Sequence, residues 1–355
     1  MTPLLQSYQL GPLSLPNRLV MAPMTRVRAT ADGLATPSTA TYYAQRATAG
    51  LIVSEGAQPS LQGQSNPHTP GLHSDDAAQA WRPVTAAVHA NGGRIFAQVM
   101  HGGRVGHPDV AGFAPVAPSA VRLRAEVFTP TGPQPAGEPR ALSTKEVGGE
   151  VTVYADAARR AIDAGFDGVE LHGANGYLIQ QFLSSNVNLR SDAYGGSLIG
   201  RIRFAVEVAE ATAEAIGAER VGLRLYPGGT IWDIVEEDPL VLYTELYRAL
   251  APLGLAYVHT LMGDDNELFD VLRTQWSGTY VVNPSAGIVG LPATKADGEH
   301  WLARGADLVA YGRAYLANPD LVERFRTAAP LREADPATYY AGGDQGYIDY
   351  TSHQN

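Results

Sequence analysis

The densest cluster of reactive side chains lies in VELHGANGYL, residues 169–178. His172 closes an apolar run, and Asn175 and Tyr177 follow three and five positions later. A neutral imidazole and a side-chain amide can each donate a hydrogen bond. Together they can hold a carbonyl or nitro oxygen and stabilise charge that develops on it. A phenol beside them can deliver a proton. The same residues also suit a structural reading, in which His172 and Asn175 tie down loop backbone and Tyr177 packs.

Arg224 stands inside the apolar string VGLRLYP. A buried guanidinium needs an anion or several acceptors. An internal carboxylate would serve, and so would an oxygen of a bound cofactor or substrate. Gly312 and Arg313 follow another apolar run, where backbone N–H groups and a cation could hold a phosphate. Asn283, Ser285 and Ala286 could supply the other half of such a site. Gln98 closes a third run, and Pro23, Met24 and Thr25 follow a fourth.

Other chemistries find little support. The chain has no cysteine, which removes disulfides, thiolate metal sites and cysteine nucleophiles together. The nine histidines show no zinc-ligand spacing, so no metal is expected. The acidic pairs Asp75–Asp76, Glu236–Glu237 and Asp264–Asp265 read as solvated groups or helix-dipole partners. No G-x-G-x-x-G follows a predicted strand, which argues against a Rossmann-type dinucleotide site.

These residues need elements to position them. The 355 residues are 45% apolar and 17% charged, a globular composition. A formal charge of −10 argues against a nucleic-acid binder. No apolar run reaches the roughly 18 residues of a membrane span, and no export signal is visible. A cytoplasmic protein without membrane or nucleic-acid partners is the expectation. Eight short apolar runs alternate with helical patterns: 18–24, 51–55, 94–100, 168–172, 221–226, 257–261, 280–283 and 308–311. Helix signals lie between them, including Ser74, the Ser143/Glu146 capping box and Asp238–Pro239. The alternation predicts an α/β fold, a (β/α)8 TIM barrel, with an open doubly wound sheet as the rival. Residues 2–15 read as a hairpin plugging the barrel floor. Residues 102–142 read as a long capping insertion after the third strand, of a length usually tied to function. Residues 1–355 are expected to form one domain.

Several strings together resemble the Old Yellow Enzyme family of flavin-dependent ene-reductases. They are PNRLVMAPMTR (16–26), YYAQRATAGLIVSEG (42–56), VELHGANGYLIQQFLSSNVNLRSDAYGGS (169–197), YGRAYLANPDLVER (311–324) and GYIDY (346–350). The resemblance covers nearly the whole chain. It implies one FMN at the barrel mouth, NADPH or NADH as a transient reductant, and a small-molecule activated alkene as substrate. His172 and Asn175 match the pair binding the substrate's electron-withdrawing oxygen. Tyr177 matches the proton donor. Pro23, Met24, Thr25 and Gly56 match the loops against the flavin ring. Gln98 and Arg224 match the groups at its pyrimidine edge. Ser285, Ala286, Gly312 and Arg313 match the phosphate site. Tyr340 matches an aromatic residue of the substrate pocket. The chain would act as a monomer or homodimer.

The threonine at position 25 places the chain in the threonine-bearing subgroup, since part of the family carries cysteine there. Two departures concern the substrate cavity. Met100 stands where many relatives carry tryptophan, and Asn66 stands where an aromatic residue is usual. Both exchanges are expected to widen the cavity and change its polarity. The implied reaction is C=C reduction of unsaturated carbonyl or nitro compounds. Reduction of nitrate esters or nitro groups at the same site is the alternative. A sugar-phosphate aldolase or isomerase would need an interior lysine or carboxylate. The two lysines, Lys145 and Lys295, fall in helical or loop context.

Overall fold

The structure, a computed structural model, describes residues 2–262, 266–284 and 292–352. Eight parallel strands close into a barrel. In chain order they are β1 (Leu19–Met21), β2 (Leu51–Ala57), β3 (Ile95–Val99), β4 (Gly168–Gly173), β5 (Val221–Leu225), β6 (Tyr257–Leu261), β7 (Tyr280–Asn283) and β8 (Leu308–Tyr311). β8 pairs with β1, which closes the sheet and excludes the open-sheet alternative.

Among the described residues one helix of seven or more residues follows each strand: α1 (Pro37–Ala44), α2 (Asp75–Ala90), α3 (Thr144–Asp163), α4 (Leu198–Ile216), α5 (Pro239–Leu250), α6 (Asn266–Gln275), α7 (Lys295–Ala303) and α8 (Leu321–Thr327). Three of the starts lie where sequence signals placed them. Ser74 caps α2, the Ser143/Glu146 capping box opens α3, and the Asp238 side chain accepts from Val241 N–H at α5. Trp81, Tyr154, Phe204 and Tyr243 pack from the helices onto Leu171, Val221 and Leu223 of the strands' outer face.

The strand alternation sorts the interior. Outward residues such as Ile95, Ala97 and Val169 join the helices, while Val20, Leu51, Val53, Phe96, Tyr257, Val281 and Leu308 form an inner apolar floor. Leu10 and Leu15 of the hairpin Tyr8–Leu10/Leu13–Leu15 belong to that floor cluster. The N-terminal hairpin is therefore the plug the sequence suggested. Two residues further along β3, β6 and β7 the inward positions turn polar. Phe96 gives way to Gln98, Tyr257 to His259 and Val281 to Asn283. Polar side chains thus collect at the C-terminal mouth, where barrel enzymes carry their sites.

The insertion 102–142 is not a structureless loop. It holds a short helix (Pro108–Ala111), a two-residue parallel pairing of Val116–Ala117 with Arg140–Ala141, and the hairpin Glu126–Thr129/Gly132–Pro135. Its Val105, Leu123, Val127 and Ala136 form a small core of their own, against which Tyr177 and Trp232 pack.

Candidate active site

The His172–Asn175–Tyr177 group is built by the end of β4 and a tight turn. His172 is the last inward residue of the strand and lies in register with Arg224 of β5. Asn175 has φ 54° and Gly176 φ 74°. Asparagine tolerates the left-handed region, and glycine enters it freely. A Cβ on Gly176 would meet the Ile231 carbonyl at 2.6 Å. The turn is clamped by two glutamines quoted in the sequence string but given no role there. Gln180 Oε1 accepts from Gly176 N–H at 2.8 Å, and Gln181 Nε2 donates to the Gly176 and Gly102 carbonyls. The His172 and Tyr177 rings then lie 5.2 Å apart.

The electrostatics suit neutral donors. Burial and the nearby Arg224 charge push the His172 pKa down to about 3. The ring is therefore uncharged at neutral pH. Burial pushes the Tyr177 phenol up to about 12, against hydrogen bonds with Trp232 and Ser65. Tyr177 therefore keeps its proton. His172 Nδ1 and Asn175 Oδ1 are buried without a hydrogen-bond partner among the described residues. Buried polar atoms left unsatisfied are uncommon and often mark a ligand site.

Beneath the mouth lies a polar network. Gln98 of β3 donates through Nε2 to Glu170 Oε1 at 2.9 Å. Glu170 Oε2 accepts from His259 Nδ1 at 2.7 Å and from Tyr257 OH at 3.1 Å. Arg224 Nη1 lies 2.6 Å from His259 Nε2, and Nη2 donates to Asn283 Oδ1 at 2.9 Å. Arg224 Nε is buried and unpartnered among the described residues. Burial and the Arg224 charge hold His259 down to about 4, so this ring too is neutral. Burial opposes ionisation of Glu170, but the surrounding donors and charges outweigh it and keep the carboxyl below the ordinary range.

Sequence reading singled out Arg224 and Gln98 but missed Glu170, Tyr257 and His259. The signal was present. Glu170 precedes His172 by two positions, so strand alternation puts both on the barrel's inner face. Ser65 and Trp232, which touch Tyr177, carried no such signal. Glu236 corrects another expectation. It is not solvated: it accepts from Gln180 Nε2, Tyr243 OH and Gly228 N–H, each at 2.7–2.8 Å. The fold turns it inward beside α5, where these donors replace water.

The remaining candidates line the mouth. Pro23, Met24 and Thr25 are partly exposed just beyond β1. Gly312 lies beside them, since a Cβ there would be 3.6 Å from Met24 Sδ. Arg313 opens the short helix Arg313–Ala317. Gly56 sits after a register shift between Val53 and Gly56, which sets it opposite Gln98. Met100 packs against it, and a Cβ on Gly56 would meet Met100 Sδ at 2.8 Å. Asn66 donates to Ser65 Oγ at 3.0 Å. Ser285 and Ala286 lie outside the described residues. Among the described residues no group of three or more His, Cys, Asp or Glu could hold a metal. No described helix is long and apolar enough to cross a membrane.

Tyr340 reaches the mouth from the C-terminal segment. Val27 has φ 56°, which is rare for a β-branched residue. Arg26 and Arg28, on either side of it, both reach that segment. Arg26 Nη2 donates to Gly346 O at 2.8 Å, and Arg28 donates to Thr338 O at 2.8 Å and Gly343 O at 2.6 Å. The loop that bears Thr25 therefore also mounts Tyr340.

Comparison with known proteins agrees with the fold. Residues 3–332 match the NADH:flavin oxidoreductase / NADH oxidase family. The chain is 40% identical to 12-oxophytodienoate reductase 1 of Oryza sativa subsp. japonica, over 98% of this chain and 92% of that protein. It is 40% identical to a probable flavin mononucleotide-dependent alkene reductase of Leishmania infantum, over 98% of this chain and 96% of that one. Morphinone reductase in complex with tetrahydroNAD superimposes with a TM-score of 0.94 at 40% identity, covering 100% of this chain and 99% of that chain. The old yellow enzyme homologue of Zymomonas mobilis gives 0.94 at 38% identity, covering 98% and 99%. Fold and matches define an FMN-dependent NAD(P)H oxidoreductase. Within that class the chain belongs to the Old Yellow Enzyme family, whose relatives include alkene reductases.

Proposed function

We propose that this single-domain barrel binds FMN at its mouth and reduces the C=C bond of α,β-unsaturated carbonyl or nitro compounds at the expense of NADPH or NADH. The observation that carries this reading is the neutral His172 ring, its buried Nδ1 without a partner among the described residues, beside the Asn175 amide and a phenol that keeps its proton. The residues fit the cofactor. Gln98, with Nε2 engaged, offers Oε1, and Arg224 offers a buried N–H. Those are the partners an imide edge needs. Gly56, Pro23, Met24 and Thr25 would flank the ring, and Gly312 and Arg313 would meet the phosphate, with Ser285 and Ala286 assigned there by resemblance.

When bound, FMN supplies the hydride chemistry, while the protein supplies orientation and electrostatics. His172 and Asn175 hold the electron-withdrawing oxygen of the substrate. Their hydrogen bonds draw density from the conjugated β-carbon and stabilise charge arriving at the oxygen. Tyr177 OH gives its proton to the α-carbon. Tyr340, Met100 and Asn66 shape the cavity. The same oxygen clamp would accept a nitrate ester or nitro group, the second reading.

An anaerobic absorbance experiment tests the proposal. The purified protein should show a flavin spectrum that bleaches with NADPH and returns with 2-cyclohexenone. Bleaching without return would refute the alkene substrate class. A protein that cannot be loaded with FMN would refute the whole reading.

A further inference from the structure

Glu170 is a buried carboxylate that touches none of the groups assigned to substrate, yet three donors converge on it. Its side chain has no exposed surface and accepts from Gln98, His259 and Tyr257. The sequence makes room for this arrangement. Gly222 is in register with Glu170 across β4 and β5. A Cβ on Gly222 would lie 2.3 Å from the Tyr257 ring and 2.8 Å from its hydroxyl oxygen. Any larger residue would displace the tyrosine that reaches Glu170.

The donors leave two neighbouring side chains little choice. Gln98 must turn its NH₂ toward Glu170, because the reverse orientation would set two acceptors face to face. Its Oε1 is then fixed as the outward atom. His259 must carry its proton on Nδ1, facing Glu170. Its unprotonated Nε2 then lies 2.6 Å from Arg224 Nη1, which is also 3.2 Å from Nδ1. With Nη2 engaged by Asn283, Arg224 keeps Nε as a buried donor without a partner among the described residues. One carboxylate thus sets both an acceptor and a donor.

We propose that Glu170 is the positioning residue that orients Gln98 and, through His259, Arg224 for the pyrimidine edge of the flavin ring. The inference rests on the FMN reading above and adds a role for a residue outside the proposed contacts. Glu170 has a second effect: its negative charge lies behind the Arg224 cation and tempers the positive field at the ring.

The test uses FMN itself with apoprotein prepared from the holoenzyme. Wild type, Glu170→Gln, Gln98→Ala and the double variant are compared by quenching of flavin fluorescence. The reduction potential of each loaded protein is then measured. Glu170→Gln should bind FMN about tenfold more weakly, the scale of one misdirected buried hydrogen bond. Its potential should move positive, because a buried negative charge is gone and electron uptake is easier. In the double variant the losses should not add, since Glu170 acts in part through Gln98. Tyr257→Phe removes one donor with little change of shape. It should shift binding in the same direction but less, and it stands in for Glu170→Gln should that variant not fold.

Unchanged affinity and potential in Glu170→Gln would overturn the inference while leaving FMN binding intact. Weaker binding with an unchanged potential, or losses that simply add, would reduce Glu170 to packing and overturn it too. Failure of the wild-type apoprotein to take up FMN would overturn the FMN reading and this inference together.

Discussion

The rings of Phe128 and Tyr340 face each other at 6.3 Å with planes 34° apart. One comes from the hairpin of the capping insertion and the other from the C-terminal segment. Each is 55% exposed. An aromatic pair left half in water beside a mouth is a place where a substrate ring can dock. The mountings differ. Tyr340 sits in a segment pinned by Arg26 and Arg28, whereas Phe128 sits on a two-stranded hairpin. Phe128→Ala should therefore lower kcat/KM for a ring-substituted enone relative to a small one, with FMN binding unchanged. Steady-state kcat/KM for 2-cyclohexenone against a ring-substituted enone gives the ratio, and a constant ratio would count against the role.

Tyr177→Phe removes the proton donor without removing the ring. Alkene reduction should slow by about 10²- to 10⁴-fold, the usual weight of a general acid. Bleaching of the flavin by NADPH should stay within a few-fold of wild type. Stopped-flow measurement of the two half-reactions separates these outcomes. With its pKa held near 12, Tyr177 should contribute no break to the pH profile between pH 6 and 9.

His172→Ala and Asn175→Ala each remove one arm of the oxygen clamp. Loss of a hydrogen bond to a buried group costs about 1–3 kcal/mol, so affinity for a phenol or enone should fall roughly 5- to 150-fold. His172, held near 3 by burial, stays neutral over the working range. Wild-type ligand affinity should accordingly show no step from this ring between pH 5 and 9. Spectral titration reads both effects, and undiminished binding in either variant would reject the clamp.

Glu55 predicts a pH dependence of stability. It is 2% exposed. Burial raises its pKa from 4.5 to about 7, although the Arg26 backbone N–H donates to it at 3.2 Å. A carboxyl raised on folding prefers to be protonated in the folded state. Its contribution is complete below the unfolded value and is lost as pH rises through about 7. The full span is roughly 3 kcal/mol. Glu55→Gln should flatten that decline, so that the variant gains on wild type at pH 8.5 but not at pH 5. Thermal unfolding at the two pH values is the measurement, and parallel declines would contradict it.

Much of this protein is legible in its sequence. Short apolar runs alternating with helical patterns located all eight strands, because a barrel strand buried on both faces is an apolar run bounded by helix caps. The His172–Asn175–Tyr177 group was legible because its members are neighbours in sequence at a strand end. Other relationships depend on tertiary structure alone. Glu170 and His259 are 89 residues apart, and only closure of the barrel makes them partners. Glu236 reads as one of a solvated acidic pair until the turn before α5 presents it to Gln180 and Tyr243. Phe128 and Tyr340 meet only because the insertion and the C-terminal segment fold over the same mouth. Local pattern carries strand, helix and cap, since those depend on neighbours along the chain. Proton positions, buried charge and the shape of the entrance depend on which distant side chains share one small volume, and the fold decides that.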